Sequence, residues 1–212
     1  MTLERLRLEH VPPPYEVYAA LFRDVSNSEF LHAQLLSRNS DFEYAFVDAS
    51  SVISRLHLLS AVYNALTVLV DGTLRTPNVH SEIVVSFNTN NNIADAYRRW
   101  GITPGKTKDL VVVKVVPSTT AQDSSATPTP TPTPIQTQTQ TQEAIWAHLT
   151  EHIQGTPAPL TDDELSRVTD WPKVRKYYRL NGVPALERLA DEGERRKQSE
   201  RLAIMGMALR GL

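Results

Sequence analysis

Apolar positions along the chain recur with two periods, and the changes between them divide it into elements. Val17, Ala19 and Leu21 alternate with Tyr18, Ala20 and Phe22, the two-residue period of a strand over 15–22. Ser26 and Glu29 have capping-box spacing and predict a helix running through Leu36. Phe42, Tyr44 and Phe46 alternate up to Val47, a second strand. Val52, Leu56, Leu59, Tyr63, Leu66 and Val70 then recur at three- and four-residue steps. They mark one face of a helix of about five turns, with Ser50 and Ser51 as candidate caps and Gly72 as a left-handed stop. Ile83 to Phe87 is a β-branched run without charge and reads as a buried strand. Asn90, Asn91 and Asn92 bond local backbone and cap helices, and Ile93, Ala96, Tyr97 and Trp100 follow as the stripe of a short helix. Gly101 would end that helix in Schellman fashion, with Ile102 folding back on Tyr97. Leu110 to Val116 is another buried strand.

Beyond it the pattern stops. Residues 117–142, PSTTAQDSSATPTPTPTPIQTQTQTQ, offer almost no apolar surface to offset ordering entropy and read as a mobile linker insertion. From 143 the helical period returns. Ile145, Trp146, Leu149 and Ile153 form a stripe, Thr161 and Glu164 a capping box, and Asp170 with Pro172 opens WPKVRKYYRL. On that helix Val174, Tyr177 and Tyr178 would face inward and Lys173, Lys176 and Arg179 outward. Residues 184–212 read as a long amphipathic helix. The expected fold class is α/β: a mixed sheet of about four strands packed by helices. Residues 1–116 form its core, 117–142 the insertion, and 143–212 a helical part on the same domain.

Composition narrows the class. With 41% hydrophobic and 22% charged residues, the chain fits a soluble globular domain of ordinary kind. A formal net charge of −2 advertises no global affinity for polyanions. There is no cysteine, so no disulfide and no thiolate chemistry. No apolar run reaches the roughly 18 residues of a membrane span. An intracellular protein is expected.

Three patterns resemble catalytic motifs. GITPGKT is one residue short of a phosphate loop and stands between a helix and a strand, whereas such a loop must open a helix. His148, Glu151 and His152 form H-x-x-E-H, two imidazoles on one helix face, but no third ligand is marked. Ser81 beside His80 lacks the G-x-S-x-G elbow. No catalytic residue, metal site or cofactor is expected. A metal-dependent hydrolase through His148 and His152 stays as a remote alternative.

Binding has more support. Between Thr73 and Val116 six basic residues face three acidic ones. Arg75, Arg98, Arg99 and Lys106, with Asn91, form a candidate RNA contact set, able to hold a few phosphates of a flexible end. The alternative is that the asparagines cap and turn while the cations solvate a helix face.

The string TLRTPNVHSEIVVSFNTNNNIADAYRRWGI resembles the smallest, PRPK-binding subunit of the EKC/KEOPS complex. Thr76, Ser81, Glu82, Ile83, Asn90 to Asn92, Ile93, Ala96, Arg99, Gly101 and Ile102 carry the likeness. Val174, Lys176, Tyr178 and Leu180 match a second family marker. Trp100 stands where a Phe is usual. The resemblance covers roughly residues 15–116 and 143–180. It implies a non-catalytic subunit that binds and allosterically regulates an atypical kinase/ATPase. It also implies help in holding tRNA, by its 3′ CCA end in archaeal relatives, for threonylcarbamoyl modification of the adenosine beside the anticodon. A nuclear and cytoplasmic location and a link to telomeres are further implications. The apolar excess around Val174, Tyr177, Tyr178, Leu180, Leu186 and Leu189 makes these the expected kinase interface. A free-standing RNA-binding adaptor is the alternative function.

Overall fold

The computed structural model describes residues 3–8, 15–117 and 141–210. The proline loop at 12–14 and the expected mobile linker lie outside the described residues, save for the linker's end residues. The architecture is an antiparallel five-stranded sheet between two helical layers. Its axis is formed by two of the expected strands: β2 (Tyr15–Arg23) runs against β4 (Leu110–Pro117), from Tyr15 opposite Pro117 to Phe22 opposite Leu110. On the far side of β4 lies β3 (Ala45–Asp48). The other edge of β2 is shared by β1 (Glu4–Leu6) and β5 (Thr156–Ala158). These two are three residues each, too short to show a period, and the sequence pattern does not reveal them.

Because side chains alternate along a strand, β2 and β4 feed two separate cores. Val17, Ala19 and Leu21 with Val111, Val113 and Val115 point to one face. Over it pack α2 (Arg55–Val70), α3 (Val79–Ser86), α4 (Ile93–Trp100), α6 (Asp162–Val168), α7 (Trp171–Tyr177), α8 (Pro184–Glu187) and α9 (Glu192–Ala208). Tyr18, Ala20 and Phe22 with Leu110, Val112 and Val116 point to the other face, covered by α1 (Ser28–Leu36) and α5 (Gln142–His152). Residues after the insertion therefore add a strand to the sheet, one helix to the second face and four to the first.

Several elements differ from the sequence expectation. Residues 83–86 are helix, not strand: Asn78 caps α3 by accepting from the Ser81 N–H at 2.8 Å. Helix α3 is buried nearly all round, between α2, α4 and the sheet, so it lost the polar face that would have betrayed its period. Helix α2 begins at Arg55, capped by Ser54; Ser50 and Ser51 lie in a 3₁₀ turn capped by Asp48. Its buried face is His57, Leu58, Ala61, Val62, Ala65 and Leu66. Of the anticipated stripe, Val52 and Leu66 are buried and Leu59 packs partly against the core, whereas Leu56, Tyr63 and Val70 face solvent, with Leu56 58% exposed. Phe42 lies in a 3₁₀ turn rather than in β3. Helix α1 starts at Ser28 without a side-chain cap, because Asn27 is used elsewhere: its amide donates to the His152 carbonyl and accepts from the Gln154 N–H. The tail is two helices, α8 and α9, rather than one.

The two glycine stops act differently. Gly72 is left-handed at φ +66° and completes a Schellman pair, with its own N–H on Leu69 O and that of Thr73 on Val68 O. Gly101 is extended at φ −72°, so no such turn forms there. Glycine is needed at 101 because a Cβ would lie 2.6 Å from the Tyr97 carbonyl oxygen.

One buried network joins the helices over the first face. The Ile53 N–H donates to His57 Nδ1, so the proton sits on Nε2, which donates to Tyr178 Oη at 2.6 Å. That hydroxyl donates in turn to the Phe87 carbonyl at 2.8 Å. Burial pushes the His57 imidazole down to about 3. His80, buried under β4, is likewise pushed down to about 3 by burial, and Lys114 adds to the shift. Both histidines are neutral when folded and take up protons once unfolded. The stability they contribute is fully present above about pH 6.5 and is lost as pH falls from there towards 3. Urea denaturation between pH 7 and 5 should show stability falling, at up to about 1.4 kcal/mol per pH unit for each histidine. A flat profile over that window would mean that both imidazoles are protonated in the fold or unperturbed by it.

Candidate functional site

A groove of about 1110 Å³ is bounded by the end of α1, the segment leading into β3, α3, and the stretch from Tyr97 to Lys106. It is assembled from distant parts of the chain. Gly105 N–H donates to Ser28 Oγ at 3.0 Å, tying the loop after α4 to the start of α1. Its walls are aromatic: Phe42, Tyr44, Phe46, Tyr97 and Tyr177. Arg38, Arg98, Lys106 and Lys173 are its cations, Glu43 and Asp48 its carboxylates. Lys173 comes from α7 and is held at 2.7 Å from both Asp48 Oδ2 and Ser50 Oγ.

The groove rests on buried polar groups. His80 Nε2 accepts from the Val115 N–H at 3.0 Å, which places the proton on Nδ1. That nitrogen is buried without a hydrogen-bond partner, 4.0 Å from Glu43 Oε1. Lys114, inward on β4, donates to the Glu43 carbonyl at 2.7 Å with its ammonium 4.8 Å from the Tyr44 ring centre. Burial holds its pKa below the usual lysine range. Glu82, fully buried in α3, accepts from Thr76 N–H and Oγ1 and pairs with Arg210 of the C-terminal segment at 3.4 Å.

The five candidate RNA contacts are not brought together. Arg98, 76% exposed, and Lys106, exposed, both line the groove. Arg75 and Asn91 bond each other away from its lining. Arg99 turns inward: it pairs with Asp95 at 2.9 Å, donates to the Tyr177 carbonyl at 3.2 Å, and lies over the Trp100 and Tyr177 rings. Burial works to raise the Asp95 pKa, but Arg98 and Arg99 outweigh it and hold the carboxyl below its usual range. Arg99 is thus a strut between α4 and α7.

The six expected interface residues are also redistributed. Val174, Tyr178, Leu180 and Leu186 are buried in the chain's own core, and Tyr177 and Leu189 pack partly against it. The apolar excess there is consumed by packing within the chain, so as side chains four of the six offer a partner almost nothing. Leu180 and Leu186 also line a smaller cleft of about 400 Å³ with Arg175 and Arg195.

The motif-like patterns resolve structurally. His80 and Ser81 lie on α3 rather than on a strand. His148 and His152 share a face of α5 as the spacing requires, with ring centres 4.4 Å apart. They pack on Phe42, and His148 Nδ1 bonds the Tyr44 hydroxyl at 3.0 Å. Among the described residues no group of three or more His, Cys, Asp or Glu side chains is placed to hold a metal ion.

The groove residues that sequence reasoning missed are His80, Glu43, Asp48 and Lys173 as binding groups, together with the aromatic walls. Substitution separates strut from site. Arg99→Ala should lower stability by about 1–2 kcal/mol in urea denaturation, and Arg98→Ala by no more than about 0.5 kcal/mol. Equal losses would contradict the division.

A family model described as "Kinase binding protein CGI-121" matches residues 22–211. The chain is 56% identical to the EKC/KEOPS complex subunit cgi121 of Neurospora crassa, with 100% of each covered. It is 52% identical to the EKC/KEOPS complex subunit CGI121 of Gibberella zeae, again over 100% of both. With the EKC/KEOPS complex subunit cgi121 of Schizosaccharomyces pombe identity is 28%, over 80% of this chain and 84% of that one.

Proposed function

Because the chain belongs to the CGI-121 family of kinase-binding proteins, we propose that it acts by contact, as a non-catalytic subunit of an EKC/KEOPS assembly. It docks the assembly's atypical kinase/ATPase on one surface and holds tRNA on another. The observation that carries this reading is the two-sided character of α2. Its inner face fills the core, yet Leu56, Tyr63 and Val70, seven residues apart in turn, leave a second apolar stripe outside. A helix apolar on both sides belongs between two bodies. Helix α9, packed on α2, adds exposed Met205 and Leu209. We therefore move the kinase-docking surface from the α7–α8 segment to the outer side of α2 and α9.

On this reading the chain regulates the kinase allosterically and serves threonylcarbamoyl modification of the tRNA adenosine beside the anticodon. It works in nucleus and cytoplasm, including telomeric chromatin. These finer parts rest on likeness to the family. The RNA part has physical support: aromatic walls suit stacked bases, and exposed Arg98 and Lys106 suit phosphates.

Leu56→Asp combined with Tyr63→Asp should cut co-purification of the kinase at least about tenfold, while the melting temperature stays within a few degrees because both side chains are exposed. Undiminished recovery would place docking elsewhere, and recovery of tRNA without kinase would favour a free-standing RNA adaptor. For the groove, Arg98→Glu with Lys106→Glu should weaken tRNA binding and flatten the log–log salt slope by about 1.4. An unchanged slope would remove both residues from the RNA site.

A further inference from the structure

Helix α1, in the layer opposite α2, also carries apolar residues on two sides. Ser28 and Leu31 form its buried side, and Leu35 packs partly on the second core. Its outer residues are Glu29, Phe30, Ala33, Leu36 and Ser37, all exposed. At about 100° per residue they fall within an arc of about 120°, with Ala33 at its centre. Phe30 is 43% exposed and Leu36 73%, the most exposed large apolar side chain among the described residues. The Phe30 ring stands edge-on to Phe42, 5.6 Å between centres, so the chain itself holds its orientation. Glu29 lies in the first turn and Arg38 just beyond the helix. Both are exposed, and among the described residues neither has an ion-pair partner.

This face is complementary to a second copy of itself. A two-fold axis at Ala33, perpendicular to the helix, pairs α1 with its copy in antiparallel sense and sets residues equidistant from position 33 on one level. Phe30 then stands level with Leu36 of the second copy, Glu29 with its Ser37, and Ser28 with its Arg38. An alanine on the axis lets the two helix axes approach to about 8 Å, and the phenylalanine and leucine beside it close the seam. Each Glu29 comes near an Arg38 of the other copy, once on each side of the axis, so the charges left unpaired on α1 answer one another. A parallel pairing would set Glu29 against Glu29 and Arg38 against Arg38. One short helix pair buries less than the roughly 1,200 Å² of a stable complex, so the contact is weak and reversible. Leu36 and Arg38 also line the groove, so the second copy stands at its rim. Because α1 covers the second face of the sheet and α2 with α9 the first, the pairing leaves the proposed kinase side open on both copies.

We infer that α1 is a self-association face, on which two copies of this chain pair weakly about a two-fold axis at Ala33. The test is sedimentation equilibrium of the full chain, without partners, from about 5 to about 500 µM at low salt, where the dissociation constant should be on the order of 100 µM. Leu36→Glu should raise it at least about tenfold, since it puts a charge into the seam. Glu29→Lys should raise it about fivefold, by turning two attractive contacts into repulsive ones, and Arg38→Glu added to it should restore the original value to within about twofold. All three side chains are exposed, so the variants keep the fold. The chain has no cysteine of its own, so Ala33→Cys, on the axis, should cross-link to its copy under mild oxidation. A chain that stays monomeric at about 500 µM overturns the inference. So does association that survives Leu36→Glu but is lost with Leu56→Asp and Tyr63→Asp on α2. An Ala33→Cys chain that does not cross-link, or a charge swap that does not restore pairing, overturns the antiparallel arrangement about Ala33.

Discussion

The hydroxyl of Tyr178 holds the helical layer together. It lies where the first turn of α2, the end of α3, the end of α7 and the inner side of α9 converge, bonded to His57 and the Phe87 carbonyl, with Met207 beside it. Removing this oxygen would strand the Phe87 carbonyl in an apolar interior, at a cost of about 1–3 kcal/mol. Around it Trp100 and His57 stack edge-on or tilted against the Tyr178 ring, so the polar contact sits inside an aromatic cluster. The family-like marker KVRKYYRL is therefore first a packing device. Its position explains why residues that look like a partner surface in the sequence are spent inside the chain.

That internal use has a counterpart on α2. Helix α2 packs through Ala61 and Ala65 together with Leu58, Val62 and Leu66, which brings its backbone close to α3 and α9, and Leu56, Tyr63 and Val70 are left outside. Periodicity alone favours the heavier stripe as the core face, and on α2 this choice holds for Leu66 but fails for Leu56, Tyr63 and Val70. The same ambiguity hid α3. Val79, Ile83, Val84 and Val85 are inaccessible from every side, and a short apolar run of that kind has the same appearance in a buried strand and a buried helix. By contrast β2 and β4 were legible, because both faces are filled by alternating side chains bounded by turns. The caps at Asn92, Thr161 and Asp170 were legible as well, since capping is local chemistry that tertiary packing does not override.

The groove was half legible. Arg98 and Lys106 stood out as cations near an asparagine cluster, but their companions come from segments with no sequence link to them. Glu43 precedes β3, His80 opens α3, and Lys173 arrives from beyond the insertion. Nothing in spacing announces such a meeting, because it is created by strand order: β3 beside β4 brings residue 43 next to residue 114, and α3 lies across both strands. Arg99 shows the converse. It shares its helix and its charge with Arg98, yet a rotation of about 100° along that helix makes it a strut instead of a rim cation.

Buried charge explains why the groove can be a preformed site. Glu82, Lys114 and Asp95 would each be costly inside a protein without partners. Each is instead committed to named groups, namely Thr76 and Arg210, the Glu43 carbonyl, and Arg98 with Arg99. These contacts fix the loop before α3, the segment before β3 and helix α4, which border the groove or adjoin its walls. Against this saturation His80 Nδ1 and the Glu43 carboxylate are conspicuous as unpaired neighbours. Both line the groove, so this donor and acceptor, facing each other across 4.0 Å, stand where an entering ligand can reach them.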